Sequence, residues 1–364
     1  MTRLVLLGGG HSHIEVLRRW ARVSAPAEVV LVNPFKSLPY TGMVPGFVAG
    51  LYGEDDIHID LASLCERAQV TFARGSAVAL DCEARSVRCS DGTKLRYDLL
   101  SIDVGSALDT STPGVSEHAL PVRPLYTFVS SLQRYRTAQR PQRVAVIGAG
   151  AAGVELALAL HAAIARAGRT PTVTLLGDAP FPVPSFPQPA RQRLERICST
   201  RGITIRSSVH VTALSADAVH LAAGERLAVD LSVWATGPVA PAWLADSGLA
   251  TDARGFIAVD RHLRSISHPD VYAAGDVAGM TGHERPKSGV YAVRQGPHLA
   301  ENLLRSLRGE PLVSYIPQRR ALALIGTGDR RAVAVYDDYS WEGAWVWRWK
   351  DIIDRRFVAR YRAG

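Results

Sequence analysis

The chain writes one short pattern twice. "RLVLLGGGHSHIEVL" begins at Arg3 and "RVAVIGAGAAGVELA" at Arg143, each an apolar run, a glycine turn and an apolar stretch with helical periodicity. A strand-length apolar run closed by glycines and followed by a helix opens a βαβ unit, whose turn aims backbone N–H groups along a helix N-terminus. Two such units in 364 residues predict two α/β domains of the same architecture, in keeping with the length.

The copies are not identical. Gly148-Ala149-Gly150-Ala151-Ala152-Gly153 is a complete G-x-G-x-x-G. Gly148 permits the tight turn, Gly150 lets the backbone approach a pyrophosphate, and Gly153 lets helix and strand pack; an unliganded glycine turn is the plainer alternative. The first copy keeps Gly8 and Gly10 but has His13 at the third position. That position serves packing, so a helix set slightly off the strand tolerates the change. His11, Ser12 and His13 are candidates for phosphate contact, with an outward-facing His13 as the alternative; the pattern lacks the ligand spacing of a zinc site. The acidic residue expected about 20 positions on, for a ribose hydroxyl, is replaced by Asn33. In the second copy Asp178 either serves the ribose or, by its offset, leaves the choice of NADH or NADPH open.

After "EVVLVNPF", a second strand, "SLPYTGMVPGFVAGLYG" predicts an irregular loop. "VTFARGSAVALD", "SVRCSDG" and "KLRYDLLSIDVGS" predict a meander turning at Asp91-Gly92. The second copy repeats this order as far as "LSVWATG". "HPDVYAAGDVAG" and the helix "VYAVRQGPHLAENLLRSLRG" belong to neither copy and predict a return to the first domain. From Tyr315, a hairpin of "RALALIGTG" and "RRAVAVYDD" with the helix "EGAWVWRWKDIIDRRFVARYR" forms a small α+β module. The expected division is 1–125 with 263–314, 126–262, and 315–364.

Hydrophobic residues at 47% and charged residues at 21% are ordinary for a globular chain. No apolar run approaches the roughly 20 residues that span a bilayer, and "LVLL" stops at glycines rather than at a cleavage site. The expected location is therefore the cytoplasm, with peripheral contact at the inner face of a membrane left open. Cys65, Cys82, Cys89 and Cys198 contain no C-x-x-C and indicate neither a disulfide framework nor a zinc site. A net charge of +8 favours an anionic partner without selecting one, and no nucleic-acid partner is expected. The last helix is read with Trp345, Trp349, Ile352, Ile353, Phe357 and Tyr361 on one face, and with Arg348, Lys350, Arg355, Arg356 and Arg360 largely elsewhere. Such a helix suits a membrane interface; packing on its own hairpin or on a second subunit of a homodimer is the plainer reading.

The double glycine motif, "SVWATG" and "DVYAAGDVA" together resemble the flavoproteins with two dinucleotide-binding domains, the pyridine nucleotide-disulfide oxidoreductase superfamily, over nearly the whole chain. The resemblance implies two Rossmann-like domains, one for FAD and one for NAD(P)H. It implies the FAD pyrophosphate on Gly8, Gly10 and the helix after them, the adenosine ribose at Asn33 and Pro34, and the ribityl chain at Asp276 of the Gly275-Asp276 pair. It implies the NAD(P)H pyrophosphate on Gly148, Gly150 and Gly153. Val78, Gly105, Gly237, Lys287 and Gly289 complete the cofactor-binding residues so expected.

More narrowly, "GGGHSH", "PYTGMVPGFVAG", "PKSGVYAVRQGP" and "WVWRWKDIIDRRF" are similar to the branch related to type II NADH dehydrogenases, some members of which precede selenide, water dikinase in one chain. This implies an enzyme that takes hydride from NAD(P)H at FAD and passes electrons to a quinone or another small acceptor. Glu155 would lie near flavin and nicotinamide, and Lys287 would hold negative charge on reduced flavin. A first-turn carboxylate and a solvated loop lysine are the plainer readings of the two. Val290 and Arg294 stand where that branch has glutamines near its quinone site, and only Gln295 is kept. Pro286-Lys287-Ser288-Gly289 is similar to the P-K-T-G of sulfide:quinone oxidoreductases, whose cysteines have no counterpart. A flavin-binding redox partner in selenium metabolism, with little turnover, and a sulfide or selenide oxidase are the alternatives.

Overall fold

Each copy of the repeated pattern supplies the middle strand of a five-stranded parallel sheet in the computed structural model, which describes residues 2–138, 142–222 and 224–362. From edge to edge the first sheet runs Val271–Ala273, Leu99–Ile102, Arg3–Leu7, Glu28–Asn33, Thr71–Arg74. The second runs Ala119–Pro121, Leu231–Trp234, Arg143–Ile147, Thr172–Leu176, Thr204–Arg206. Both faces of the central strands are covered, which is why Leu4 to Leu7 and Val144 to Ile147 read as unbroken apolar runs. In each sheet the chain leaves the middle strand toward one edge and later comes back to its other side. The crevice this opens lies at the carboxyl end of the middle strand, where the glycines are.

The two units share one register. Leu7 pairs with Val32 and Ile102, as Ile147 pairs with Leu176 and Trp234. Gly8 N–H then donates to the Val32 carbonyl at 2.9 Å, and Gly148 N–H to that of Leu176 at 2.8 Å. Asp103 and Ala235 occupy equivalent places, their N–H groups donating to Leu7 and Ile147 at 2.8 and 2.7 Å.

Three expectations are corrected. Only Ala77–Asp81, Ser86–Cys89 and Lys94–Arg96 form the first antiparallel meander, which does turn at Asp91-Gly92; Thr71–Arg74 and Leu99–Ile102 join the parallel sheet. Short apolar runs carry the same signal in either setting. The expected irregular loop contains a strand, Ser37–Pro39, and a helical turn, Val44–Val48, with Pro45 in its first turn, where a missing N–H leaves no bond unmade. The C-terminal hairpin, Ala323–Gly326 with Ala332–Tyr336, gains a third strand, Tyr339–Gly343, before the last helix begins at Ala344.

Helix α1 (His11–Trp20) explains the missing third glycine. In the second unit a Cβ on Gly153 would run into the Gly148 carbonyl oxygen. In the first, His13 points inward, fully buried, and meets the Gly8 carbonyl through Nδ1 at 2.6 Å and the Ser101 hydroxyl through Nε2 at 2.8 Å. A carbonyl only accepts, so Nδ1 carries the hydrogen and Nε2 accepts from Ser101. Burial pushes the imidazole down to about 4, so it is neutral at ordinary pH. The ring fills the inner side of the turn and is closed off from solvent. His13→Ala is expected to lower stability by about 2 kcal/mol or more, through a void and two unpartnered groups, with the flavin content of the purified protein unchanged. Flavin loss at an unchanged melting temperature would instead put His13 at the phosphate.

Candidate functional site

The first glycine loop and the first turns of the helix after the second glycine loop line one cavity of about 690 Å³. The first unit contributes Gly8, Gly10, His11, Asn33, Pro34 and Gly105; the segment after Val271–Ala273 contributes Asp276, Lys287 and Gly289; and α2 (Ala151–Arg166), the helix after the second glycine loop, contributes Ala152 and Glu155. Ser12 and His13 turn away from it: the Ser12 hydroxyl donates to the Ala292 carbonyl at 2.8 Å. Val78 and Gly237 do not line the cavity. Gly148, Gly150 and Gly153 do not line it either, although the α2 helix that they launch does, and Asp178 is exposed just past the end of its strand.

The expected ribose residue, Asn33, has both ends of its amide engaged. Oδ1 accepts from Gly9 N–H at 2.9 Å, and Nδ2 donates to the Phe35 carbonyl at 2.7 Å, so the side chain ties the loop to the strand end. Asp276 accepts from Arg123 at 3.2 Å and lies near the Ser106 hydroxyl at 3.4 Å. Lys287 donates to the Ala278 carbonyl at 2.6 Å and stands 3.7 Å above the Phe256 ring centroid; burial pushes its ammonium down to about 8. Gly289 opens helix α3 (Gly289–Arg308), whose positive end therefore faces the cavity beside Lys287. Phe35 and Tyr126 stack at 4.1 Å along another wall.

These residues fit an FAD. Gly8 and Gly10 sit where a Cβ would strike Asp103, so the loop backbone comes as close to the strand as a glycine allows, leaving its open side to the cavity. A polar floor of Asn33 and Asp276, an apolar wall and a helix N-terminus beside a lysine suit a long dinucleotide with an anion-forming ring. Among the described residues no group of three His, Cys, Asp or Glu could hold a metal ion. All four cysteines are buried, none lines the cavity, and burial pushes the Cys65 and Cys198 thiols up to about 12.

Glu155 is held from the far side by the C-terminal module. Its Oε1 accepts from Gly326 N–H at 2.7 Å, and burial pushes the carboxyl up to about 7 against the pull of Lys350. Lys350 lies on α4 (Ala344–Arg362), 5% exposed, and donates to Asp354 at 2.7 Å and to the Gly42 carbonyl at 2.6 Å. Burial alone would lower the Lys350 ammonium, but Glu155 and Asp354 hold it above its ordinary value. The expected faces of α4 are thereby corrected: Lys350, Asp354, Phe357 and Tyr361 point inward, while Trp345, Trp349, Ile352 and Ile353 are exposed. A lysine with two buried carboxylates to pair with is better placed inside than a tryptophan with nothing to cover it.

Asp103 and Arg123 line this site without being named by the motifs, and Lys350 is inside where the sequence places it on the polar face of its helix. For Asp103 a signal exists: "SIDVGS" and "SVWATG" occupy equivalent strand ends, with an aspartate in one and an alanine in the other.

Residues 2–296 match the family described as pyridine nucleotide-disulphide oxidoreductase. The chain is 30% identical to an NADH dehydrogenase-like protein of Mycobacterium tuberculosis, over 94% of this chain and 89% of that one. It is 25% identical to a demethylphylloquinone reductase of Synechocystis, over 88% and 84%. The sulfide:quinone oxidoreductase of Aquifex aeolicus shares the fold, with a TM-score of 0.81 at 20% identity over 100% of this chain and 92% of that one.

Lys350→Met would leave Asp354 and Glu155 buried without their cation, and a loss of about 3–5 kcal/mol is expected in thermal or denaturant unfolding. Lys350→Met combined with Asp354→Leu should recover most of it. A single variant as stable as the parent would mean that water, not Lys350, satisfies these carboxylates.

Proposed function

The chain belongs to the pyridine nucleotide-disulphide oxidoreductase family, and on that premise we propose that it takes hydride from NAD(P)H at FAD and delivers the electrons to a quinone. The observation that carries this reading is that the first glycine loop and the helix after the second line one cavity, to which one unit contributes Glu155 and the other Lys287 and Asp276. The demethylphylloquinone reductase relative supports a quinone as acceptor. The buried cysteines count against sulfide chemistry.

In this reading Gly8, Gly10 and the start of α1 hold the FAD pyrophosphate, Asp276 the ribityl chain, and Gly148, Gly150 and Gly153 the NAD(P)H pyrophosphate. Bound there, FAD supplies two-electron hydride acceptance and electron release. Lys287 and the N-terminus of α3 set positive charge beside the ring, where negative charge develops on reduction. A quinone needs two electrons and two protons; the hydride brings both electrons and one proton, and the second proton comes from water. Glu155, pushed up to about 7 and half-buried in the cavity lining, holds that proton.

Anaerobic addition of NADH or NADPH is expected to bleach the flavin band near 450 nm, a property of flavins, and a soluble quinone to restore it. The restoring step should slow as pH rises above about 7, where Glu155 loses its proton. Glu155→Gln should keep the bleaching within a few-fold while slowing the quinone step about tenfold or more and removing the break near 7. No bleaching with either nucleotide would end the reading, and wild-type reoxidation by Glu155→Gln would end the role of Glu155.

No helix among the described residues is long and apolar enough to cross a membrane. The outer face of α4 nevertheless presents Trp345, stacked on Trp349 at 6.5 Å, with Ile352 and Ile353; Tyr339 and Trp341 stack on the preceding strand, and Arg348 and Arg356 are also exposed. Aromatic rings with flanking arginines fit the headgroup level of an anionic membrane, the medium in which a lipid-soluble quinone resides. Sedimentation with phosphatidylglycerol vesicles is expected, and should fall about tenfold or more in Trp345→Ala/Trp349→Ala/Ile352→Ala. No vesicle binding, together with a dimer that these substitutions convert to monomer, would make the patch a subunit interface.

A further inference from the structure

The two units differ at a buried position that the proposed chemistry leaves unused. Strand register sets Asp103 of the first unit in the place of Ala235 in the second. Both main chains do the same work, since a Cβ on Gly8 or Gly148 would strike the carbonyl oxygen of Asp103 or Ala235. Asp103 alone adds a carboxylate. It is 2% exposed, and its Oδ2 accepts the N–H groups of Ser12 at 2.8 Å and His13 at 3.0 Å, in the first turn of α1. A Cβ on Gly10 or on Gly275 would also run into it, so it is wedged between the two loops that line the cavity.

First-turn N–H groups are what a glycine loop offers to a phosphate. Here Gly9 N–H is taken by Asn33, Gly10 N–H by the Asp103 carbonyl at 3.2 Å, and those of Ser12 and His13 by the Asp103 carboxylate. We propose that Asp103 is an internal anion that competes with the FAD pyrophosphate for the N-terminus of α1, so that FAD binds with uptake of a proton by Asp103 and is held less tightly as pH rises. This rests on the reading that the cavity holds FAD.

Burial pushes Asp103 up to about 7, opposed by its two N–H bonds and assisted by Asp276. The other charged or titratable groups facing it are few. His11 and His13 on α1 are pushed by burial to about 4 and stay neutral; Asp276 is paired with Arg123; Lys287, pushed to about 8, faces Asp276 from the start of α3. Negative phosphate charge on the cavity side raises Asp103 further, since a like charge disfavours ionisation. With the bound value above the free one, affinity is full below about pH 7 and falls as pH rises toward the bound value. Lys287 losing its charge acts in the same direction at higher pH, so the difference between parent and variant isolates Asp103.

The test is FAD release on dilution of the holoprotein, read by flavin fluorescence from pH 6 to 8, for the parent, Asp103→Asn and Asp103→Ala. One pKa unit of coupling gives a dissociation constant about fivefold weaker at pH 8 than at pH 6 in the parent. The Asn and Ala variants should keep only the weaker slope that Lys287 contributes and retain FAD better at pH 8. Calorimetry of FAD rebinding near pH 7, in two buffers of different ionisation enthalpy, should show clearly more proton uptake in the parent than in either variant. Equal pH slopes in parent and Asp103→Asn, or no proton uptake by the parent, would overturn the proposal. Should both variants fail to fold, proton uptake by the parent decides. Failure to bind FAD at any pH would instead remove the FAD reading itself.

Discussion

The close approach of a glycine loop to the neighbouring strand end is the contact on which this structure depends. Gly8 and Gly148 adopt φ of 87° and 111°, and each presses against the main chain of the residue just past the end of the neighbouring strand, Asp103 or Ala235. Only a residue without Cβ can do so. The approach swings the chain directly from strand into helix, and the helix N-terminus is thereby aimed into the crevice between the parallel strands. The first such turn and the helix that the second one launches line one cavity, so the two units meet there.

A second constraint comes from buried charge. Lys350 pairs with Asp354 one turn along α4 and ties the helix to the Gly42 carbonyl near the cavity and, through the field it exerts, to Glu155. Such a group costs more to bury than an apolar side chain and is tolerated only when its partners are correctly placed, so it specifies one seating of the helix. That seating turns the tryptophans outward. One helix thus contributes charge to the interior of the site and an apolar face to whatever lies outside it.

Much of this was legible in the residues. The repeat, the glycine spacings and the strand "DVYAA" are local patterns in which backbone geometry demands particular residue types, and the strand does pair with the first sheet. The roles of single side chains were less so. His13 reads as an exposed or phosphate-facing residue because glycine is usual there; its inward orientation follows from Ser101, 88 positions away, which supplies its second hydrogen bond. The faces of α4 were misassigned because apolar periodicity places the larger apolar stripe inward, whereas Glu155 and Asp354 make the interior the better place for Lys350.

The sequence by itself determined two Rossmann-like units and the family to which they belong, because steric rules at a strand–glycine–helix turn act within a dozen residues. Tertiary structure alone decided which charges share the cavity. Asp103, Glu155 and Lys287 come from separate segments of the chain, and their protonation is set by burial and by neighbouring charges, quantities that exist only once the sheets and helices have packed.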